Sequence, residues 1–219
     1  MSRRRIERLY AVTPETSDGG WLCARVEAVL AGGARMIQYR SKSGDMRLRR
    51  QQAGRLLELC RARGALLIVN DDVGLAQELG AEGVHLGRED TPPAAARVAL
   101  GDGALIGVSC YDSLKRARAA QDDGADYVVF GSFFPSLVKP NAVRAPIELL
   151  RAARAAIDLP IVAIGGITAE NGRALVEAGA DALAVISALF HVSDSFSAAQ
   201  DLTALFEAQD EPLSVGADT

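Results

Sequence analysis

The chain is poor in the residues that build redox and zinc chemistry. Its 219 residues hold three cysteines and two histidines. Cys23, Cys60 and Cys110 are odd in number, lack Cys-x-x-Cys spacing and sit in or beside apolar segments, so they read as buried reduced thiols. His85 and His191 are too few for a histidine metal centre. Aromatic residues make up 5 % of the chain, which implies an aliphatic core. There is no basic excess: the formal charge is −4 and the pI about 5.3. That excludes a general nucleic-acid or anionic-membrane partner, and any anionic ligand must be held by local donors or by a metal. No apolar run approaches membrane-spanning length. The basic start Met1-Ser2-Arg3-Arg4-Arg5 is followed by Glu7 and Arg8 and not by a signal-like apolar segment, so the expected compartment is the cytoplasm.

What the chain does have is 49 % hydrophobic and 24 % charged residues, enough for one well-cored α/β domain. Strand-like runs alternate with helical periodicity throughout. The predicted strands are Leu9–Val12, Arg35–Arg40, Ala65–Val69, Gly83–Leu86, Ala104–Val108, Tyr127–Phe130, Pro160–Ile164 and Ala182–Val185. Between and after them, helices are expected over Trp21–Ala31, Met46–Arg63, Val73–Leu79, from Thr91-Pro92-Pro93, and over Leu114–Gln121, Pro146–Ala156, Glu170–Glu177 and Phe196–Phe206. Gly33-Ala34, Gly80-Ala81, Gly124-Ala125-Asp126 and Gly179-Ala180-Asp181 introduce every second strand, glycine allowing a left-handed helix end and a tight turn into the sheet. Eight units in this length predict a closed (β/α)₈ TIM barrel as a single domain over 1–219, with a core of about 8–207 and flexible ends at 1–7 and 208–219. An open doubly wound sheet is the weaker fit, since no GxGxxG follows the first strand.

Active groups in such a barrel come from the carboxyl ends of the strands. The second strand supplies Gln38-x-Arg40-x-Lys42, whose spacing of two points all three into the mouth while Ile37 and Tyr39 pack outward. Two cations and an amide suit phosphate oxygens. The third strand ends in Asn70-Asp71-Asp72; one aspartate is expected to cap the next helix and the other to face the mouth. With Asp90 from the fourth strand, Asp71 could hold Mg²⁺ on a polyphosphate, although Asp90 taken alone reads better as a helix cap before Thr91-Pro92. Ser109 is a hydrogen-bonding candidate. Gly131 to Pro140, with Lys139, is a long loop able to serve as a lid. Gly165-Gly166 after the seventh strand and Ile186-Ser187 after the eighth match the barrel's common phosphate pocket. The mouth thus reads as a diphosphate site beside a monophosphate site.

At this point the sequence resembles the thiamine-phosphate synthase family. The family-like stretches are Gln38-Tyr39-Arg40-Ser41-Lys42, Asn70-Asp71-Asp72, Val84–Asp90, Ile106-Gly107-Val108-Ser109, Lys139-Pro140 and Ala163–Ile167, in the family's order. The resemblance implies an enzyme joining hydroxymethylpyrimidine diphosphate to thiazole phosphate, with release of pyrophosphate. It implies that Gln38, Arg40, Lys42, Asn70 and Lys139 hold the pyrimidine diphosphate, with Tyr39 and Ser41 in the same segment. It further implies Mg²⁺ at Asp71 and Asp90, Ser109 near the pyrimidine, and Gly166, Ile186 and Ser187 at the thiazole phosphate. Arg40, Lys42, Ser109 and Lys139 are the residues expected to act in catalysis. The departure is Ser136-Leu137-Val138-Lys139, where the family commonly has a Thr-x-Thr-Lys run. Val138 lacks a hydroxyl, and a lost hydrogen bond to a charged group costs about 1.5–3 kcal/mol. A same-fold paralogue, either a thiazole tautomerase-like isomerase or a non-catalytic binder of thiamine intermediates, is the alternative. Homo-oligomerisation is compatible with the sequence, though no stretch argues for it.

Overall fold

The computed structural model describes residue 6 and residues 8–135 and 143–207. The predicted flexible ends, apart from Ile6, and the Ser136–Lys139 run therefore lie outside the described residues. Eight parallel strands close in sequence order into a barrel: β1 (Arg8–Val12), β2 (Met36–Tyr39), β3 (Leu66–Asn70), β4 (Gly83–Leu86), β5 (Leu105–Tyr111), β6 (Tyr127–Phe130), β7 (Ile161–Ile164) and β8 (Ala182–Val185). Helices α1 (Gly19–Ala31), α2 (Met46–Ala62), α3 (Val73–Leu79), α4 (Pro93–Leu100), α5 (Leu114–Asp122), α6 (Glu148–Arg154), α7 (Arg173–Glu177), α8 (Ser187–Phe190) and α9 (Ser195–Ala204) lie between and after them. The register β1–β8, with Leu9 opposite Leu183, is the seam that joins the two ends of the ring.

Period-two alternation sorts the strand residues into two cores. Tyr10, Val12, Met36, Ile68, Tyr127, Val129, Val162 and Ala184 fill the barrel interior. Their neighbours Leu9, Ile37, Leu67, Val84, Ile106, Val128, Ala163 and Leu183 pack outward against the helices. Helix starts are set by short polar side chains: Asp18, Asp45, Asp72, Ser113 and Asp194 each accept from first-turn amides, satisfying donors that have no partner within the helix. Helices α6 and α7 are shorter than the pattern predicts, because their first residues form turns ahead of Glu148 and Arg173.

At the amino end of the barrel the Gly-Ala-acid turns do more than reverse the chain. Glu82, Asp126 and Asp181 accept the backbone N–H of Leu67, Ile106 and Ile161 at 3.0, 2.8 and 2.7 Å. Each also meets an arginine from the preceding even-numbered helix, Arg61, Arg97 or Arg154. The same arginines donate to the carbonyls of Gly80, Gly124 and Gly179. Three clamps therefore tie β3 to β4, β5 to β6 and β7 to β8, and leave the opposite end for the site.

Candidate active site

A cavity of about 660 Å³ opens at the carboxyl end of the strands, within the size range of small-molecule sites. Its wall includes Gln38, Arg40, Lys42, Asn70, Asp71, Asp90, Ser109 and Ile186 from the sequence-derived set. The spacing of two behind Gln38-x-Arg40-x-Lys42 thus holds even beyond the end of β2. Buried Thr13 steadies that exit: its Oγ1 accepts the Arg40 amide at 2.9 Å, and Glu15 accepts the Lys42 amide at 2.9 Å.

The two aspartates after β3 divide their tasks. Asp72 caps α3, accepting from the Leu75 amide at 2.9 Å, and its second oxygen meets Arg49 at 2.8 Å. Asp71 has a left-handed backbone (φ 64°), a conformation that aspartate tolerates better than most residues, and it faces the cavity. Asp90 does not cap α4, whose start is Pro92 with no side-chain cap. Instead Asp90 accepts the Gly87 amide at 2.6 Å and faces Asp71. Burial, first, and the Asp90 carboxyl beside it, second, hold the Asp71 carboxyl above the usual aspartate range. Two carboxylates forced together from neighbouring strands destabilise one another until a proton or a cation lies between them. Both offer hard oxygen donors, so the pair fits Mg²⁺ better than a soft metal.

Four expected residues lie elsewhere. Tyr39 is the clear correction: it is buried on the helix side of β2, and its hydroxyl donates to Gln52 at 2.9 Å. Ser41, on the same alternation, lies off the cavity wall and accepts from the Ser43 amide at 3.3 Å. Gly166 and Ser187 adjoin the cavity through Gly165 and Ile186 without lining it. Gly166 is left-handed (φ 63°), and a Cβ on it would stand 2.2 Å from the Pro135 carbonyl, so this turn is packed against the chain leaving β6. Ser136, Val138 and Lys139 are outside the described residues.

Residues passed over in the sequence also line the wall. His85 faces inward, with Nε2 2.8 Å from Ser109 Oγ and its ring stacked on Tyr127. The alternation of Val84 and Leu86 outward was the available signal. Tyr111, left-handed at φ 56°, stands at the rim between Arg88 and Arg116, whose guanidinium carbons lie 5.0 and 5.8 Å from its ring centre. No period-two rule reaches such a position.

An acid pair facing cations in the mouth of a (β/α)₈ barrel defines an enzyme that handles anionic small molecules. The family described as thiamine monophosphate synthase (TMP-TENI) matches residues 9–189, and the chain belongs to that family. It is 56 % identical over 203 residues to the thiamine-phosphate synthase of Thiobacillus denitrificans, covering 93 % of this chain and 96 % of that one. It is 55 % identical over 214 residues to the enzyme of the same name from Acidithiobacillus ferrooxidans, covering 94 % and 97 %. Among solved structures, thiamine phosphate pyrophosphorylase from Pyrococcus furiosus superposes with a TM-score of 0.84 at 34 % identity, over 93 % of this chain and 97 % of that one. A 3-hexulose-6-phosphate synthase from Salmonella typhimurium, at TM-score 0.71 and 18 % identity over 92 % of this chain and 99 % of that one, shares the fold.

Proposed function

We propose that the chain is a Mg²⁺-dependent thiamine-phosphate synthase, joining hydroxymethylpyrimidine diphosphate to thiazole phosphate with release of pyrophosphate. The observation that carries the reading is the facing pair Asp71 and Asp90 in one cavity with Arg40 and Lys42. Mg²⁺ held by the two aspartates would neutralise charge on the diphosphate oxygens. Arg40 and Lys42 bind the same oxygens, Arg40 offering a fork that can engage two at once. Their attraction grows as the C–O bond to the pyrimidine methylene breaks and the electron pair leaves with pyrophosphate, which is how fixed charge lowers a barrier. The thiazole nitrogen then forms the new C–N bond with its own lone pair, so no protein nucleophile or strong base is required.

Gln38, Asn70 and Ser109 orient the pyrimidine end in this reading, and the Gly165-Gly166 and Ile186-Ser187 turns receive the thiazole phosphate. Lys139 keeps the diphosphate contact that the family pattern suggests and Ser136 a hydroxyl for the thiazole phosphate, whereas Val138 supplies no such hydrogen bond. Tyr39 and Ser41 are given none. The substrates are small molecules, the setting is the cytoplasm, and no helix among the described residues is long and apolar enough to cross a membrane. The test is pyrophosphate release by the purified protein with both substrates, with and without Mg²⁺. Release that needs both substrates and the cation supports the reading. Binding of either substrate without turnover refutes it in favour of a non-catalytic binder.

A further inference from the structure

The interior of a barrel this size is ordinarily packed with branched aliphatic side chains. Here it contains two tyrosines, Tyr10 and Tyr127, at 1 % and 0 % exposure. Their hydroxyls lie 2.9 Å apart and their rings meet edge to face at 6.1 Å. Burying two hydroxyls is unfavourable unless each finds a partner. The fold makes room for them at a definite place: a Cβ on Gly107 would stand 2.0 Å from Tyr127 Cζ and 2.3 Å from its hydroxyl. Burial, above all, pushes both phenols well above their ordinary range, so both keep their protons.

Besides the stacking of Tyr127 on His85, a hydrogen bond links this pair to the site. Gln38 Nε2 donates to the Tyr10 hydroxyl at 2.8 Å. Gln38 is itself only 5 % exposed, yet it and Tyr10 are part of the cavity wall. A side-chain amide has a donor end and an acceptor end of nearly identical shape. With the nitrogen held from below by Tyr10, the carbonyl oxygen is the end left for a ligand, and it calls for a ligand donor such as an exocyclic amino group.

We propose that Tyr10, its hydroxyl donating to that of Tyr127, is a positioning residue that accepts from the Gln38 nitrogen, fixes the polarity of that amide and so selects the aminopyrimidine over an oxo-pyrimidine of the same shape. The inference rests on the synthase reading and deepens it. Tyr10 acts through Gln38 and bears on specificity more than on turnover.

The experiment compares the aminopyrimidine diphosphate with its oxo analogue in wild type, Tyr10→Phe, Gln38→Ala and the double variant, with Tyr127→Phe as a milder second probe. Phenylalanine keeps the ring and removes the clamp, so Tyr10→Phe is expected to cut amino-over-oxo discrimination in kcat/KM by about tenfold, the scale of one hydrogen bond. Tyr127→Phe is expected to cut it less. In the Gln38→Ala background Tyr10→Phe should leave discrimination unchanged. A Tyr10→Phe variant that folds and keeps full discrimination overturns the inference alone, as does an equal loss with and without Gln38. A wild-type protein that turns over neither compound refutes the synthase reading and takes the inference with it.

Discussion

Two adjacent aspartates should fail in opposite ways when replaced, and the magnitudes follow from their contacts. Asp72→Ala removes the cap of α3, worth about 0.5–2 kcal/mol. It also removes the partner of Arg49, a pair whose side chains are 16 % and 25 % exposed, which after allowance for screening adds up to about 1 kcal/mol. The expected loss is about 0.5–3 kcal/mol, or a fall in Tm of about 1–12 °C for a domain of this size, with kcat/KM kept below the transition. Asp71→Asn is the companion variant, since asparagine also accepts the left-handed backbone. It removes a charge that the fold holds against Asp90, so Tm without cation should stay level or rise. Turnover should fall at least about a hundredfold, equivalent to about 2.7 kcal/mol of transition-state stabilisation. Thermal unfolding and pyrophosphate release on the same preparations read both effects. The division of labour is refuted if Asp72→Ala loses turnover as Asp71→Asn does at a temperature where both are folded, or if Asp71→Asn loses as much Tm as Asp72→Ala.

The Asp71 shift also sets a pH dependence. Its raised value means that the folded protein holds this proton more tightly than the unfolded chain does. Without a bound cation, stability should therefore fall as pH rises from the ordinary aspartate value of 3.8 through the raised value, and level off above it. The difference in Tm between wild type and Asp71→Asn, followed across that window, isolates the effect; a flat difference contradicts it. Gly107→Ala places a methyl 2.0 Å from the Tyr127 ring, and overpacking of this kind should cost at least about 1–3 kcal/mol, visible by chemical denaturation. Asp126→Ala should leave the Ile106 N–H without its acceptor at a cost of about 1–3 kcal/mol. Asp126→Asn, which can still accept that bond, should cost less, and equal losses in the two variants would count against the clamp.

The barrel was legible because its signals are local. β4, β6, β8 and α3 have the limits their apolar runs and glycine turns imply, and period two brought Gln38, Arg40 and Lys42 to one wall. Legibility failed where a position depends on another strand. Nothing around Tyr39 says that its hydroxyl has Gln52 as partner, whereas the meeting of Asp71 and Asp90 followed from the adjacency of the third and fourth strands. His85 was within reach, since its neighbours alternate cleanly, whereas Tyr111 sits at a β-bulge in the β5–β6 pairing where alternation has ended. The recurring Gly-Ala-acid turns were visible as turns. Their acids as acceptors for the preceding strand were not, because that bond spans about twenty residues of unrelated sequence.

The seam between β1 and β8 has a consequence for how the protein senses its ligands. Every other strand pairing joins neighbours in the chain, and three of them are tied by clamps closed within one contiguous stretch. Until the seam forms, the chain is a curved ribbon with two free borders. The cavity takes wall residues from both borders, Tyr10 and Val12 on one and Ala184 and Ile186 on the other, so in the ribbon the pocket has no complete circumference. Any ligand that spans it acts as a rivet across the closure. In hydrogen exchange, amides of β1 and β8 should accordingly gain protection on ligand binding ahead of those in the clamped pairs, and occupancy of the pocket becomes readable as the closing of the ring.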